Sequence, residues 1–135
     1  MKVSTKGRYA LRLLLDLAEH RSGGFISLKE IADRQSISKQ YLEHIVSLLN
    51  TSSILRTNRG KQGGYMLAKE PSEYTVGQIL RITEGNLMPV ACLEDEINQC
   101  ERACFCKTLP MWKGFSKVIS EYLDNVTLQD MLDPY

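Results

Sequence analysis

The chain has 135 residues, 43% of them hydrophobic and 24% charged, with a formal net charge of +1. That is enough apolar material for one core without disulfide staples, and no apolar run approaches the roughly 20 residues of a membrane span. Arg12 and Asp16 interrupt the first apolar stretch, which argues against a secretory signal and leads us to expect a cytoplasmic chain with reduced thiols.

In chain order, the first helical pattern covers residues 7–20. Leu11, Leu14, Leu15 and Ala18 recur at three- and four-residue spacing, and Leu13 and Leu17 widen the stripe. Gly23-Gly24 ends it. Ser27-Leu28-Lys29-Glu30 reads as a capping box, so a short helix follows with Ile31 and Ala32 inward, ending near Gln35. Ser38 caps a third helix over residues 39–50. Tyr41, Leu42, Ile45, Val46, Leu48 and Leu49 form its apolar side, and Gln40, Glu43, His44 and Ser47 the opposite side. Two short helices joined by a tight turn, the second with a polar outer stripe, read as helix-turn-helix.

Residues 54–57 and 65–68 look like short strands around the glycine-rich turn Asn58-Arg59-Gly60-Lys61-Gln62-Gly63-Gly64, which predicts a wing. Thr75-Val76-Gly77-Gln78 opens another helix, and Gly85 ends it. An irregular loop follows. The last long pattern runs from Leu109 to about Val126, with Pro110 in its first turn. There Trp112, Phe115, Ile119, Tyr122 and Val126 step by 3, 4, 3, 4, a spacing suited to pairing with another helix or to packing on the domain's own core. The fold class is therefore mostly α: a winged helix-turn-helix with a two-stranded wing and a long C-terminal helix. The expected division is 1–84 for the DNA-binding domain, 85–107 for the loop and 108–135 for the helix and tail.

Charge supports that organisation. Residues 1–69 hold 12 Lys/Arg against 5 Asp/Glu, whereas residues 70–135 hold 5 against 11. A basic first half and an acidic second half point to a polyanion met by the first half, with ordinary surface scatter as the alternative. On the third helix, Gln40 suits adenine, Glu43 a cytosine amino group and Ser47 either, with Ser38, Lys39 and Tyr41 beside the backbone. In the wing, Arg59 and Lys61 sit where a glycine turn lets the chain approach a minor groove. A nucleotide-binding loop is the rival, but no Gly-Lys-Ser/Thr closes the turn. No nucleophile–base motif or paired-carboxylate signature suggests an enzyme; an iron–sulfur electron carrier would not need the wing.

All four cysteines, Cys92, Cys100, Cys104 and Cys106, fall within one fifteen-residue window of polar, loop-like sequence. Thiols clustered this way suggest a metal, an iron–sulfur cluster or a redox switch. Zinc knuckles favour cysteine pairs with two residues between them, and no such pair occurs. Structural zinc and a metal-free thiol–disulfide sensor remain alternatives.

The opening Ser4-Thr5-Lys6-Gly7-Arg8-Tyr9-Ala10, the stretch Ile37-Ser38-Lys39-Gln40-Tyr41-Leu42-Glu43 and the run Arg59-Gly60-Lys61-Gln62-Gly63-Gly64-Tyr65 resemble the IscR family of bacterial winged-helix regulators. A helix start like Thr75-Val76-Gly77 and a late helix with a Trp, here Trp112, extend the resemblance over nearly the whole chain. It implies a homodimer on a pseudo-palindromic double-stranded operator, dimerisation through the long C-terminal helix, and DNA contacts from Glu43 and Arg59. It also implies an iron–sulfur cluster, 2Fe-2S or 4Fe-4S, on Cys92, Cys100 and Cys106. Family members of the IscR type carry a histidine three residues after the third cysteine; here Leu109 stands there, so Cys104 or a residue of a partner subunit is the expected fourth ligand. His20 and His44 are expected to be ordinary surface residues. A family branch concerned with cysteine metabolism works through a protein partner, which offers a metal-free alternative.

Overall fold

Serine and threonine side chains set where five of the six α-helices of the described residues begin. In the computed structural model, which describes residues 2–133, α1 spans Thr5–Glu19, α2 Leu28–Gln35, α3 Lys39–Asn50, α4 Val76–Glu84, α5 Leu109–Asn125 and α6 Leu128–Leu132. Ser4, Ser27, Ser38, Thr75 and Thr127 each accept a backbone N–H from three residues on, satisfying one of the orphan donors of the helix they precede. Because Ser4 is the first of these caps, α1 starts two residues before the expected position. At Ser27 and Thr75 only this half of the box is made; the reciprocal box closes at Thr127–Asp130, where α6 was not expected.

The inward faces of α1, α2 and α3 meet in one core that includes Ala10, Leu13, Leu14, Leu17, Ile31 and Leu42, all fully buried. Ser36 turns the chain in the left-handed region (φ 55°), and Ile37 plugs the turn into the core. A buried carboxylate pins α1 to this helix-turn-helix. Asp16 accepts hydrogen bonds from Arg34 at 2.7 and 3.0 Å and from Gln35 Nε2 at 3.0 Å. Burial pushes the Asp16 pKa up, but the bonds from Arg34 and Gln35 and the Arg34 charge outweigh it, so the group titrates below the usual carboxylate range. At sequence level Asp16 only interrupts an apolar stripe; folded, it anchors α1 to the end of α2.

The wing is the antiparallel pair β1 (Leu55–Asn58) and β2 (Gly64–Leu67), with Leu55 opposite Leu67 and Asn58 opposite Gly64. Each strand lies one residue from its expected bounds. Ile26 adds a single bridge on the other side of β2, exchanging hydrogen bonds with Tyr65 at 2.9 and 2.8 Å. This bridge is possible because residue 64 is glycine: a Cβ there would run into the Ile26 carbonyl. At the root of the wing, Tyr74 is 1% exposed. Its hydroxyl donates to the Ile54 carbonyl at 2.7 Å and accepts from the Lys69 N–H at 3.0 Å.

α5 lies against α4, and their pairing is fixed by the Arg81–Asp124 ion pair, with N–O distances of 2.5 and 3.0 Å. After α5 the chain turns back into the main body. Val76 N–H donates to the Val126 carbonyl and Leu128 N–H to the Tyr74 carbonyl, and Leu128 is fully buried in the core beside α1. The expected single stripe on α5 divides between two faces. Trp112, Ile119 and Val126 are half-buried, whereas Phe115 and Tyr122 point outward with Met111 and Val118. Residues 112, 119 and 126 form one seven-residue row and residues 115 and 122 the adjacent row, and only the first is turned toward the rest of the molecule. The molecule is a winged helix-turn-helix. Among the described residues, no helix is long and apolar enough to cross a membrane.

Candidate nucleic-acid interface and cysteine loop

The outer face of α3 and the wing enclose an open cleft of about 690 Å³. α3 contributes Lys39, Glu43 and Asn50, which share one helix face, and the wing contributes Thr57, Asn58 and Arg59. Lys29 reaches the same cleft from the first turn of α2. Three cations and a single carboxylate therefore share one concave surface. Of the residues expected to touch DNA, Lys39, Glu43 and Arg59 are brought together here.

The others are placed differently. Ser38 spends its hydroxyl on the Tyr41 N–H at 3.1 Å, so it positions α3 as its cap. Gln40 is exposed on α3 but does not line the cleft, and Lys61 is exposed at the wing turn. Tyr41 is half-buried, its ring edge-on to Tyr9 at 5.6 Å, while Arg12 lies over Tyr9 at 5.1 Å. Lys29, Asn50 and Asn58 were not marked at sequence level. Asn50 was findable, since it lies seven residues, or two helical turns, after Glu43.

The cysteine loop runs from the end of α4 to the start of α5, with short 3-10 turns at Ala91–Leu93 and Ala103–Phe105. Its four thiols are free, Cys92 and Cys106 half-buried and Cys100 and Cys104 exposed. Among the described residues, no group of three or more His, Cys, Asp or Glu side chains is gathered closely enough to hold a metal ion. His20 bonds the Asp16 backbone carbonyl through Nδ1 at 2.9 Å, and His44 is exposed on α3.

The donor set nonetheless suits a sulfur-ligated iron centre in kind. Cys106 Sγ lies 3.2 Å from Thr108 Oγ1. That hydroxyl, the backbone N–H groups of Thr108 and Leu109 and the nearby Arg102 charge hold the thiol below its ordinary pKa, favouring thiolate. Asn98 Nδ2 is buried without a hydrogen-bond partner, an orphan donor of the type that sulfur acceptors of such centres satisfy. Leu109, at the histidine position of IscR-type proteins, is buried at the start of α5.

Beside the loop lies an unpartnered apolar face. Met111, Phe115, Val118 and Tyr122 on α5 are 43–68% exposed and step by 4, 3, 4, with Phe105 exposed in the loop just before them. A contiguous stripe of large exposed apolar groups is the surface feature that marks an interaction site.

Comparison with known proteins follows the same lines. A family model described as Rrf2, iron-dependent transcriptional regulator, matches residues 3–134. CymR of Bacillus subtilis is 40% identical over 97% of this chain and 89% of its own length. Its solved structure, described as that of the global cysteine regulator, superposes with a TM-score of 0.82 over 100% of this chain and 98% of that one. IscR of Serratia proteamaculans is 35% identical over 98% of this chain and 80% of its own length. The structure of T. potens IscR gives a TM-score of 0.77 at 40% identity, covering 99% of this chain and 88% of that one.

Proposed function

The chain belongs to the Rrf2 family of DNA-binding transcriptional regulators, and from that premise we propose that it is a homodimeric repressor whose affinity for a pseudo-palindromic operator is set by an iron–sulfur cluster. Its relatives regulate transcription and are not enzymes. The proposed parts are a DNA-binding unit over residues 1–84, a cluster loop over 85–107 and a dimerisation helix and tail over 108–135.

In this reading α3 enters the major groove. Glu43 accepts from a cytosine amino group, Gln40 pairs with adenine, Lys39 and Tyr41 approach phosphates, and Ser38 holds the helix start in register. Arg59 enters the minor groove from the wing and Lys61 follows the backbone. The observation that carries this half is the cleft that gathers Lys39, Glu43 and Arg59 against one surface. The α5 stripe of Met111, Phe115, Val118 and Tyr122 pairs with its copy in a second protomer, which places two recognition helices on one duplex.

Cys92, Cys100 and Cys106, with Cys104 or a partner-subunit residue as the fourth donor, hold the cluster. A cluster supplies iron–thiolate bonds that respond to iron supply, oxidants and nitric oxide. Cys106 stands two residues before Thr108, the residue that opens α5. Asp124, at the other end of α5, holds Arg81 of α4. Movement of the loop thus transmits through α5 to α4 and to the spacing of the two recognition helices. The test is anaerobic purification with iron, sulfide and zinc analysis, followed by operator binding of loaded and stripped protein. Equal operator affinity in both forms removes the sensor and leaves a constitutive repressor; stoichiometric zinc replaces the cluster with a structural metal.

The likeness to CymR, a cysteine regulator, favours a second reading in which no cluster binds. There the exposed Cys100 and Cys104 and the thiolate-leaning Cys106 respond directly to oxidants, or a protein partner controls the dimer. Colourless anaerobic protein whose operator affinity changes on thiol oxidation supports that reading.

A further inference from the structure

We infer that the cleft between the wing and α3 seats one sugar–phosphate strand of the duplex, and that Lys29, on neither the recognition helix nor the wing, makes a phosphate contact there. The inference deepens the DNA-binding reading above and rests on it. Three observations carry it.

The first is composition. Lys29, Lys39 and Arg59 line the cleft from three different elements, and Glu43 is the only carboxylate among its walls. The second is compensation. None of these three cations forms an ion pair within 4.0 Å among the described residues, whereas Arg21, Arg34 and Arg81 elsewhere each hold a carboxylate. The concentrated positive charge is thus left for an external anion, and an open channel fits a chain of phosphates better than an enclosed ligand.

The third is rigidity. Ile26 is bridged to Tyr65 of β2, Ser27 then caps α2 by accepting the Glu30 N–H at 3.2 Å, and Lys29 follows inside that first turn. The backbone that carries Lys29 therefore moves with the wing. Lys29 and Arg59 face the same strand from two walls of one preassembled unit, which lowers the ordering cost of binding.

The test uses the full-length protein and a mixed-sequence duplex of about 30 base pairs, so no operator need be known. Binding is measured over a salt series. Lys29→Gln is expected to reduce the slope of log K against log salt by about 0.9 for each protomer in contact, and to weaken binding roughly fivefold per contact near 0.15 M salt. Lys29→Arg is expected to keep the wild-type slope. Lys117→Gln removes the same charge from α5, which does not line the cleft, and is expected to leave the slope unchanged. An unchanged slope in Lys29→Gln, or an equal drop in Lys117→Gln, overturns the inference while the DNA-binding reading stands. A wild-type protein that binds no duplex even at low salt overturns the reading itself. Lys29 is exposed, and an unchanged melting temperature confirms that the variant is folded.

Discussion

Replacing Tyr74 by phenylalanine is expected to loosen the wing at its root without disturbing the core. The ring stays in place, so no cavity opens and the loss is confined to one oxygen. That oxygen joins the Ile54 carbonyl before β1 to the Lys69 N–H after β2, closing the open end of the hairpin. Burial pushes the phenol pKa up, so the hydroxyl keeps its proton and remains a donor across the working pH range. In the variant the Ile54 carbonyl retains the Ala68 N–H at 3.2 Å, and Lys69 is exposed enough to find water. The cost is then that of one lost buried hydrogen bond and one weakened one, about 1–2 kcal/mol. For a chain of this size that lowers the melting temperature by roughly 3–8 °C. Denaturant unfolding followed by circular dichroism is expected to show a lower midpoint at unchanged slope. Hydrogen exchange at the Lys69 and Tyr65 amides is expected to quicken more than exchange in α1. An unchanged midpoint refutes the hydrogen-bond argument. A loss above about 4 kcal/mol would mean that the ring itself is displaced and that packing dominates.

Other expectations follow from the same geometry. Asp16→Asn leaves Arg34 without its charge partner in a site where the carboxylate is fully buried, and is expected to cost about 2–4 kcal/mol in urea unfolding; a cost below about 0.5 kcal/mol rejects the anchor. In the wild type the folded Asp16 pKa lies below its unfolded value of 3.8, so its contribution is fully present above that pH and is lost as pH falls through the folded pKa. Acid unfolding of wild type set against Asp16→Asn is expected to show the difference shrinking below pH 3.8. Val118→Glu, at a position 66% exposed on the outer stripe of α5, is expected to give a folded monomer by sedimentation; a sedimenting dimer excludes this face as the interface. Glu43→Ala is expected to relax base preference at one operator position with little effect on nonspecific affinity, whereas Arg59→Ala weakens binding broadly. Equal losses on all sequences in Glu43→Ala remove Glu43 as a base reader.

Legibility in the sequence followed the range of the interactions. Ser38, Thr75 and the glycine-rich turn act within three or four residues, so the starts of α3 and α4 and the place of the wing could be read directly. Contacts distant along the chain could not. Asp16 finds Arg34 18 residues away and Arg81 finds Asp124 43 residues away, and neither pairing has a local signature. The five-residue α6 escaped notice because it is shorter than a helical period pattern, although Thr127 and Asp130 carry its capping box. On α5 the apolar residues were legible, but their division into inner and outer faces depends on where α4 lies. The cysteine window was evident from composition alone, while the arrangement of its thiols depends on loop turns that no periodicity encodes.

The burial of Leu128 has a consequence for assembly. This residue fills space beside α1, yet it is synthesised after the whole of α5. A growing polypeptide thus has a gap at its centre until α5 and the turn after it have been made. Completion of the helix-turn-helix core is accordingly tied to the last stretch of translation, and a chain cut short before residue 128 keeps an unfilled space beside α1.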